Sequence, residues 1–257
     1  MLLPPQNVPY TVTLATRYGQ MLVNRYDTNQ ANALFKTAEA FDRAEVQLFI
    51  DLAARLPEGT TFLDIGANFG VFSLAVAQVL AQRGGKVHAF EAQRVIAYML
   101  CGTTALNSLE NLYVHHLAVG DTAGGKIDIP SFDYRKVSSF GSIEFGGTQN
   151  EYIGQPPQAP SGDQVALCRI DDFGFENVGL VKIDVEGMEA AVLRGAATLL
   201  ARDHPWVLVE WLKSERAGLA GFFENLQYRV YRLGGNLLCV PPNTPITIQN
   251  DMPDWRS

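Results

Sequence analysis

The chain has 257 residues, of which 47% are hydrophobic and 18% are charged, a composition typical of a globular protein. Its formal net charge of -7 disfavours nucleic acid and anionic membrane surfaces, which are bound through clustered Lys and Arg. The three cysteines form no paired motif, so neither a disulfide framework nor a zinc site is indicated.

Two features of the sequence bear on the cellular location of the protein. No apolar run approaches the roughly 18 residues of a membrane span, and the first residues lack the basic and apolar regions of a signal peptide. The sequence therefore predicts a soluble cytoplasmic protein.

Residues 1–57 are predicted to form an extension in front of the main α/β pattern. Alternating residues over 10–16 and 21–26, around Tyr18-Gly19, predict a hairpin. A short helix is predicted over 29–36 and a longer one over 42–56, where Asp42 and Glu45 have the spacing of a capping box.

From residue 61 onward, strand and helix patterns alternate. The predicted elements, in chain order, are a strand at 61–65, a helix at 69–82, a strand at 86–90, a helix at 93–107, a strand at 113–118, a strand at 179–184, a helix at 187–201, a strand at 206–210, a helix at 214–225 and a hairpin of 228–233 with 237–240. This order predicts one α/β domain whose mostly parallel sheet has helices on both faces and an antiparallel hairpin at its end.

Residues 122–164 interrupt the alternation with many glycines, prolines and aromatic residues. Short strands at 126–129 and 142–145 are predicted to form a hairpin there. A stretch this long is typical of a lid or binding loop. Its aromatic rings either stack on a ligand or form a small core beneath the loop, and both readings stay open.

Residues 61–70, Thr-Phe-Leu-Asp-Ile-Gly-Ala-Asn-Phe-Gly, predict a strand, a tight loop and a helix start. Such a junction presents backbone N–H groups and a positive helix end to a polar ligand. A dinucleotide fingerprint would require glycine where the chain has Asn68 and Val71, and this disfavours NAD and FAD. The next strand ends at Glu91, whose carboxylate can accept hydrogen bonds from both hydroxyls of a ribose.

These residues resemble the glycine-rich loop and the ribose-binding acid of class I S-adenosylmethionine (SAM)-dependent methyltransferases. The segment 181–189, Val-Lys-Ile-Asp-Val-Glu-Gly-Met-Glu, and the segment 169–173, Arg-Ile-Asp-Asp-Phe, are similar to the FkbM family, and the resemblance covers about residues 41–211. It implies a Rossmann-like fold with a seven-stranded sheet. It also implies methyl transfer from SAM to a hydroxyl of a sugar, glycan, glycolipid or polyketide-type molecule, with S-adenosylhomocysteine (SAH) as product.

The resemblance also implies a set of cofactor contacts. Those expected at the methionine part of SAM are Asp64, Gly66, Ala67 and Asn68, with Gly70 opening the helix behind them. Those expected at the nucleoside are Glu91 for the ribose, Ala92 beside the adenine, and Ala118 and Asp121 at the adenine edge.

An alcohol acceptor must lose a proton, so a general base within hydrogen-bond reach is expected. The candidates are the strand-end carboxylates Asp184, Glu186 and Glu210, with Asp184 first. Lys182 shares a strand face with Asp184 and needs a buried partner, either for structure alone or to orient the base. A Mg²⁺ ion between Asp184 and Glu210 is a less favoured alternative, because no third ligand can be identified.

Two other functions remain open at this point. One is a catalytically silent protein of the same fold that binds SAM or a partner. The other is an NAD-dependent oxidoreductase, which the missing second glycine of the loop disfavours.

Overall fold

The N-terminal extension has the predicted hairpin and two helices. The computed structural model describes residues 8–144, 152–156, 163–246 and 252–256. Strand β1 (Thr11–Thr16) pairs antiparallel with β2 (Gly19–Asn24), and helices α1 (Gln30–Thr37) and α2 (Arg43–Arg55) follow. The predicted capping box is wrong, because the side chain of Asp42 makes no capping hydrogen bond and instead accepts one from Gln30 Nε2 at 3.4 Å.

The other elements follow the predicted alternation. The strands are β3 (Thr61–Ile65), β4 (Lys86–Phe90), β5 (Leu112–His115), β6 (Ala118–Val119), β7 (Lys126–Asp128), β8 (Gln164–Cys168), β9 (Val178–Ile183), β10 (Trp206–Glu210), β11 (Arg229–Leu233) and β12 (Asn236–Val240). The helices are α3 (Val71–Ala81), α4 (Arg94–Leu106), α5 (Glu189–Gly195), α6 (Ala197–Asp203) and α7 (Arg216–Asn225).

Seven strands form the central sheet in the order β11-β12-β10-β9-β3-β4-β5. Strand β12 runs antiparallel to both of its neighbours, and β10, β9, β3, β4 and β5 are mutually parallel. The predicted parallel sheet with a C-terminal antiparallel hairpin is thereby confirmed. The carboxyl ends of β3, β4, β9 and β10 consequently meet along one edge of the sheet, where ligands of open α/β folds bind.

The sheet separates two hydrophobic cores, and β3 shows how. Every residue of β3 is buried, and successive side chains point to opposite faces. Phe62 packs with Phe49 of α2 and Leu74 of α3 on one face. Leu63 packs with Val192 of α5 on the other. Because both faces are covered, the strand is largely apolar, and its two polar residues, Thr61 and Asp64, are buried as well.

Two predicted elements are divided. The strand predicted over 113–118 ends at His115, and β6 belongs to a separate sheet of order β6-β8-β7. The helix predicted over 187–201 consists of α5 and α6, separated at Ala196, whose φ of -119° lies outside the helical region.

The hairpin predicted within the insertion is wrong. Strand β7 pairs antiparallel with β8, which the sequence did not predict. Phe140–Ser142 forms a 3-10 turn, and Phe145 lies outside the described residues. In the part of the chain that the structure describes, no helix has the length and apolar character needed to cross a membrane.

Candidate active site

The loop between β3 and α3 is held in left-handed backbone conformations. The φ angles of Gly66, Asn68 and Gly70 are 80°, 51° and 84°. A Cβ atom at Gly66 would lie 1.8 Å from the backbone oxygen of Asp184, so only glycine allows the loop to pass the end of β9 this closely. Asparagine tolerates the left-handed region better than most residues, which fits its place in the loop.

Glu91 fastens the loop to the end of β4. Its two carboxylate oxygens accept hydrogen bonds from the backbone N–H groups of Asn68, at 2.8 Å, and Gln93, at 2.7 Å. Burial raises the pKa of Glu91 to about 7, although these hydrogen bonds oppose the shift. A carboxylate has about four lone-pair sites, so Glu91 can accept further hydrogen bonds from a ligand.

A first cavity opens at the carboxyl ends of β3 and β4. Five of the predicted cofactor contacts line it, namely Gly66, Asn68, Glu91, Ala92 and Ala118. Gln93, Leu117, Gly141 and Met188 also line it and were not predicted. The cavity therefore combines three carboxylates, those of Glu91, Asp184 and Glu186, and the loop backbone with apolar side chains.

Asp64 lies beneath the loop and does not line the first cavity. Its carboxylate is fully buried, accepts a hydrogen bond from Ser73 Oγ at 2.6 Å and lies 3.7 Å from Lys182 Nζ. Lys182 in turn donates to the backbone oxygen of Gly66 at 2.8 Å. Asp64 therefore does not contact the first cavity and supports the loop through its ion pair with Lys182.

Asp121 is placed apart from the site, on the surface. Arg194 donates to its carboxylate at 2.8 Å, and this contact lowers the pKa of Asp121. The cause is the division of the predicted third strand, since the chain leaves the central sheet after His115. Asp121 thus forms a surface ion pair with Arg194 and does not line the first cavity.

The three candidate bases come together at the ends of β9 and β10. Carboxylate oxygens of Asp184, Glu186 and Glu210 lie within 4.8 Å of one another, and we call these residues the acid trio. Lys182 Nζ lies 3.2 Å from Asp184, and Lys213 Nζ lies 2.7 Å from Glu186. Glu186 supplies the third carboxylate that the Mg²⁺ alternative lacked, but two lysines already neutralise part of the trio's charge.

The pKa values of Glu186 and Glu210 are raised above the ordinary value. Burial, followed by the charge of Asp184, raises the pKa of Glu186 to about 7. Burial, followed by the charges of Asp184 and Glu186, raises the pKa of Glu210 to about 9. Although burial opposes its charge, the surrounding carboxylates, Asp184 foremost, raise the pKa of Lys182 above its ordinary value.

A second cavity adjoins the first. The two cavities share a wall formed by Asn68, Gly141, Asp184 and Glu186. Two predicted cofactor residues, Ala67 and Gly70, line the second cavity rather than the first. The N-terminal extension supplies four of its lining residues, which the sequence did not predict: Asn29, Gln30, Phe41 and Asp42.

The insertion covers the wall between the cavities. Gln93 Nε2 donates to the backbone oxygen of Phe140 at 2.7 Å, and Lys213 Nζ donates to that of Ser142 at 3.0 Å. Phe132 and Phe140 are buried in the core, and the ring of Tyr134 stacks on Phe140 at 5.0 Å. For these three rings the structure favours the core over a ligand-stacking surface.

Glu189 holds the loop that carries Asp184 and Glu186 of the acid trio. Its fully buried carboxylate accepts hydrogen bonds from the backbone N–H groups of Val185 and Gly187 and from the hydroxyl of Ser214. Gly187 adopts a φ of 103° and Glu186 a φ of 56° in this loop. Glu189 was not among the predicted site residues, and its role in the structure is to fix this loop.

Comparisons with known proteins agree with this geometry. The family model of the methyltransferase FkbM domain matches residues 64–233. Methyltransferase 1 of Beauveria bassiana (strain ARSEF 2860) is 25% identical over 194 residues, covering 69% of this chain and 74% of that protein. The crystal structure of methyltransferase FkbM from Methylobacillus flagellatus KT has a TM-score of 0.51 at 15% identity, covering 88% of this chain and 56% of that chain.

The sheet order and the cavity at the strand ends are those of a class I, Rossmann-like SAM-dependent methyltransferase, and the solved FkbM structure has the same fold. The family match extends over well over half of the chain. This chain therefore belongs to the methyltransferase FkbM domain family. It spans little more than half the length of that solved relative.

Proposed function

We propose that the protein transfers the methyl group of SAM to a hydroxyl oxygen of a small molecule, most simply a sugar, glycolipid or polyketide-type compound. The observation that supports this best is the wall shared by the two cavities. Methyl transfer is an in-line displacement, so donor and acceptor must approach the methyl carbon from opposite sides. Adjoining cavities with polar groups at their junction suit that requirement.

The residues of the first cavity fit SAM. Among the residues that the structure describes, none donates a hydrogen bond to the buried Asn68 Oδ1, and this acceptor suits the cofactor's ammonium group. Glu91 has acceptor capacity left for the ribose hydroxyls. Ala92, Leu117 and Ala118 offer an apolar wall for the adenine. When bound, SAM would supply an electrophilic methyl group on a positively charged sulfur.

Asp184 is the residue that we assign as general base. It lines both cavities, so its carboxylate can reach an acceptor hydroxyl next to the methyl group. Glu186 also lines both cavities but is less suited, because its contact with Lys213, at 2.7 Å, is shorter than the contact of Asp184 with Lys182, at 3.2 Å. Glu210, with its pKa of about 9, is protonated near pH 7 and cannot accept the proton there. In the transfer, the acceptor oxygen gains the methyl group and Asp184 takes the oxygen's proton.

The second cavity suits a polyhydroxylated acceptor. Amide groups of Asn29, Gln30 and Asn236 line it and can hydrogen-bond to hydroxyl groups. Phe41, which also lines it, is 76% exposed, and its ring can pack against an apolar face of the acceptor. A ligand with hydroxyl groups and one apolar face fits this lining.

Calorimetric titration with SAH tests the cofactor part of the proposal. We expect binding in the micromolar range and a loss of about tenfold or more in Glu91→Gln, which removes a charged acceptor of ribose hydroxyls. Asp121→Asn is the matched control, since Asp121 lies outside both cavities. Absence of SAH binding to the unaltered protein would refute the proposal.

The catalytic part of the proposal is tested separately, by measuring methyl transfer. With radiolabelled SAM and a mixture of hydroxylated acceptors, Asp184→Asn is expected to lower transfer by about a hundredfold or more at unchanged SAH affinity. A protein that binds SAH and transfers nothing, or whose transfer is unaffected in Asp184→Asn, would instead be the silent member considered above.

A further inference from the structure

Asp27, in the N-terminal extension, has a buried carboxylate that lines neither cavity. One of its oxygens accepts hydrogen bonds from the backbone N–H groups of Asn29, at 3.2 Å, and Ala31, at 2.9 Å, where α1 begins. The other oxygen accepts a hydrogen bond from the backbone N–H group of Phe140, at 3.2 Å. Burying a carboxylate is unfavourable unless hydrogen bonds compensate, so these donors fix its position. Asp27 thus joins the start of α1 to the insertion.

Further hydrogen bonds lie beside this junction. The backbone N–H group of Ser138 donates to the backbone oxygen of Tyr26 at 3.0 Å, and that of Thr28 donates to the backbone oxygen of Ser138 at 3.0 Å. Asn29 Nδ2 donates to Ser139 Oγ at 2.7 Å. The extension and the insertion therefore pair along a short stretch, which fixes their relative position.

The two segments that Asp27 joins carry different parts of the site. Asn29 and Gln30, at the start of α1, line the second cavity. The family match begins at residue 64, so these acceptor-side residues lie outside the matched domain. Gly141, which follows Phe140, lines both cavities. The alignment of acceptor and cofactor therefore depends on how the extension is attached to the insertion.

The insertion is in turn held against the cofactor loop. A Cβ atom at Gly141 would lie 2.6 Å from Asn68 Nδ2, so the turn Phe140–Ser142 packs directly on that loop. Gln93, which lines the first cavity, donates from Nε2 to the backbone oxygen of Phe140 at 2.7 Å. The backbone of Phe140 is thus bound through its N–H group by the extension and through its oxygen by the cofactor side.

We propose that Asp27 is a positioning residue for the methyl transfer, which holds the acceptor-side residues of the N-terminal extension in register with the cofactor. This inference rests on the proposed function and adds a residue that touches neither ligand. An in-line displacement is sensitive to misplacement, and a shift of about 1 Å can lower a rate by about a hundredfold. Loss of the bond between Asp27 and Phe140 therefore slows transfer while the cofactor contacts of Asn68 and Glu91 stay in place.

Asp27→Asn tests this role in the full chain. Asparagine has one acceptor oxygen, so its NH₂ group would face the N–H group of Phe140 or those at the start of α1. Transfer is measured with saturating radiolabelled SAM and a mixture of sugar, glycolipid and polyketide-type alcohols, and the rate is expressed per SAH site counted by calorimetry. We expect a maximal rate at least about tenfold lower, with the Kd for SAH changed by less than about twofold. Counting SAH sites removes the effect of a smaller folded fraction.

Two further variants separate positioning from stability. Ser139→Ala removes the acceptor of Asn29 Nδ2 without disturbing a buried charge, and we expect a rate about threefold lower. Asp171→Asn is the matched control, because the Asp171 carboxylate also accepts from two backbone N–H groups, those of Thr198 at 3.0 Å and Leu199 at 2.9 Å, and lines neither cavity. Asp171→Asn should keep the full rate per SAH site.

Several results would overturn the proposal. They are an unchanged rate in Asp27→Asn, an equal loss in Asp171→Asn, and a loss of SAH affinity in Asp27→Asn that accounts for the lower rate. If Asp27→Asn does not fold, an unchanged rate in Ser139→Ala overturns the proposal and a lowered rate supports it. Absence of transfer by the unaltered protein is instead the failure of the proposed function. Transfer that does not depend on Asp27 leaves that function standing and refutes the positioning role alone.

Discussion

Lys182→Met is expected to destabilise the protein strongly and to weaken SAH binding. Lys182 is buried, and its ammonium group lies 3.7 Å from Asp64 and 3.2 Å from Asp184. It also donates to the backbone oxygen of Gly66 at 2.8 Å. Methionine preserves most of the side-chain volume and removes the charge, so the change acts mainly on these three contacts.

The expected magnitude follows from Asp64. Its carboxylate is fully buried, and after the substitution only Ser73 would hydrogen-bond to it among the contacts given above. Breaking a buried ion pair by removing one partner costs about 3–5 kcal/mol. A domain is stable by about 5–15 kcal/mol, so this cost is a large share of the total. The loss of the donor to Gly66 is expected to raise the Kd for SAH by about tenfold.

Urea unfolding and SAH calorimetry on a double-mutant cycle separate these two effects. Lys182→Met/Asp64→Asn removes the unpaired charge and should recover at least half of the lost unfolding free energy. It should not recover the SAH affinity, because the Gly66 oxygen still lacks its donor. The reasoning is refuted if Lys182→Met loses less than about 1 kcal/mol or if the double variant is no more stable than the single one.

Three further outcomes follow from the site. Gly66→Ala should abolish SAH binding, because the added Cβ atom would lie 1.8 Å from a backbone oxygen. Gly84 is the control, since it has a similar φ of 68° but open space around the position of a Cβ atom. If Gly84→Ala retains SAH binding, the loss in Gly66→Ala is due to the steric clash and not to backbone strain alone. The pKa of Glu91 is about 7 in the folded protein, against an ordinary value of 4.5. The protonated carboxyl therefore adds to the free energy of unfolding below pH 4.5, and this contribution is lost as the pH rises through 7. Urea titrations should show about 3 kcal/mol of this loss between about pH 5 and pH 8, and an unchanged pH dependence in Glu91→Gln would contradict it. Calorimetry with MgCl₂ alone should show no binding tighter than about 1 mM, because two lysines neutralise the acid trio; tighter binding would revive the metal alternative.

The central sheet could be predicted because its signal is local. Strands such as β3 and β10 are short, largely apolar runs that are mostly buried, and each has an acidic residue at or next to its end, Asp64 in β3 and Glu210 in β10. The glycine loop, Glu91 and the segment after β9 follow directly from such runs. The small sheet β6-β8-β7 was missed because its strands are short, and β8 alternates only weakly between buried and exposed residues.

The second cavity could not be predicted, because it depends on contacts between distant parts of the chain. Asp42 and Phe41 lie over a hundred residues before Asp184 and meet it only after the extension packs on the sheet edge. Asp121 and Asp184 look alike in sequence as strand-end acids. Asp121 lies on the surface because the chain leaves the central sheet after His115. Asp184 follows a strand of that sheet and lies at the cavity wall.

A crystal structure with SAH bound tests the central claim most directly. The account predicts that the ribose hydroxyls lie within hydrogen-bond distance of Glu91 and that the sulfur faces the wall shared by the two cavities, beside Asn68 and Asp184. SAH bound in the cleft at the opposite ends of the strands, lined by Thr60 and Trp206, would contradict it. So would a sulfur that faces away from the second cavity.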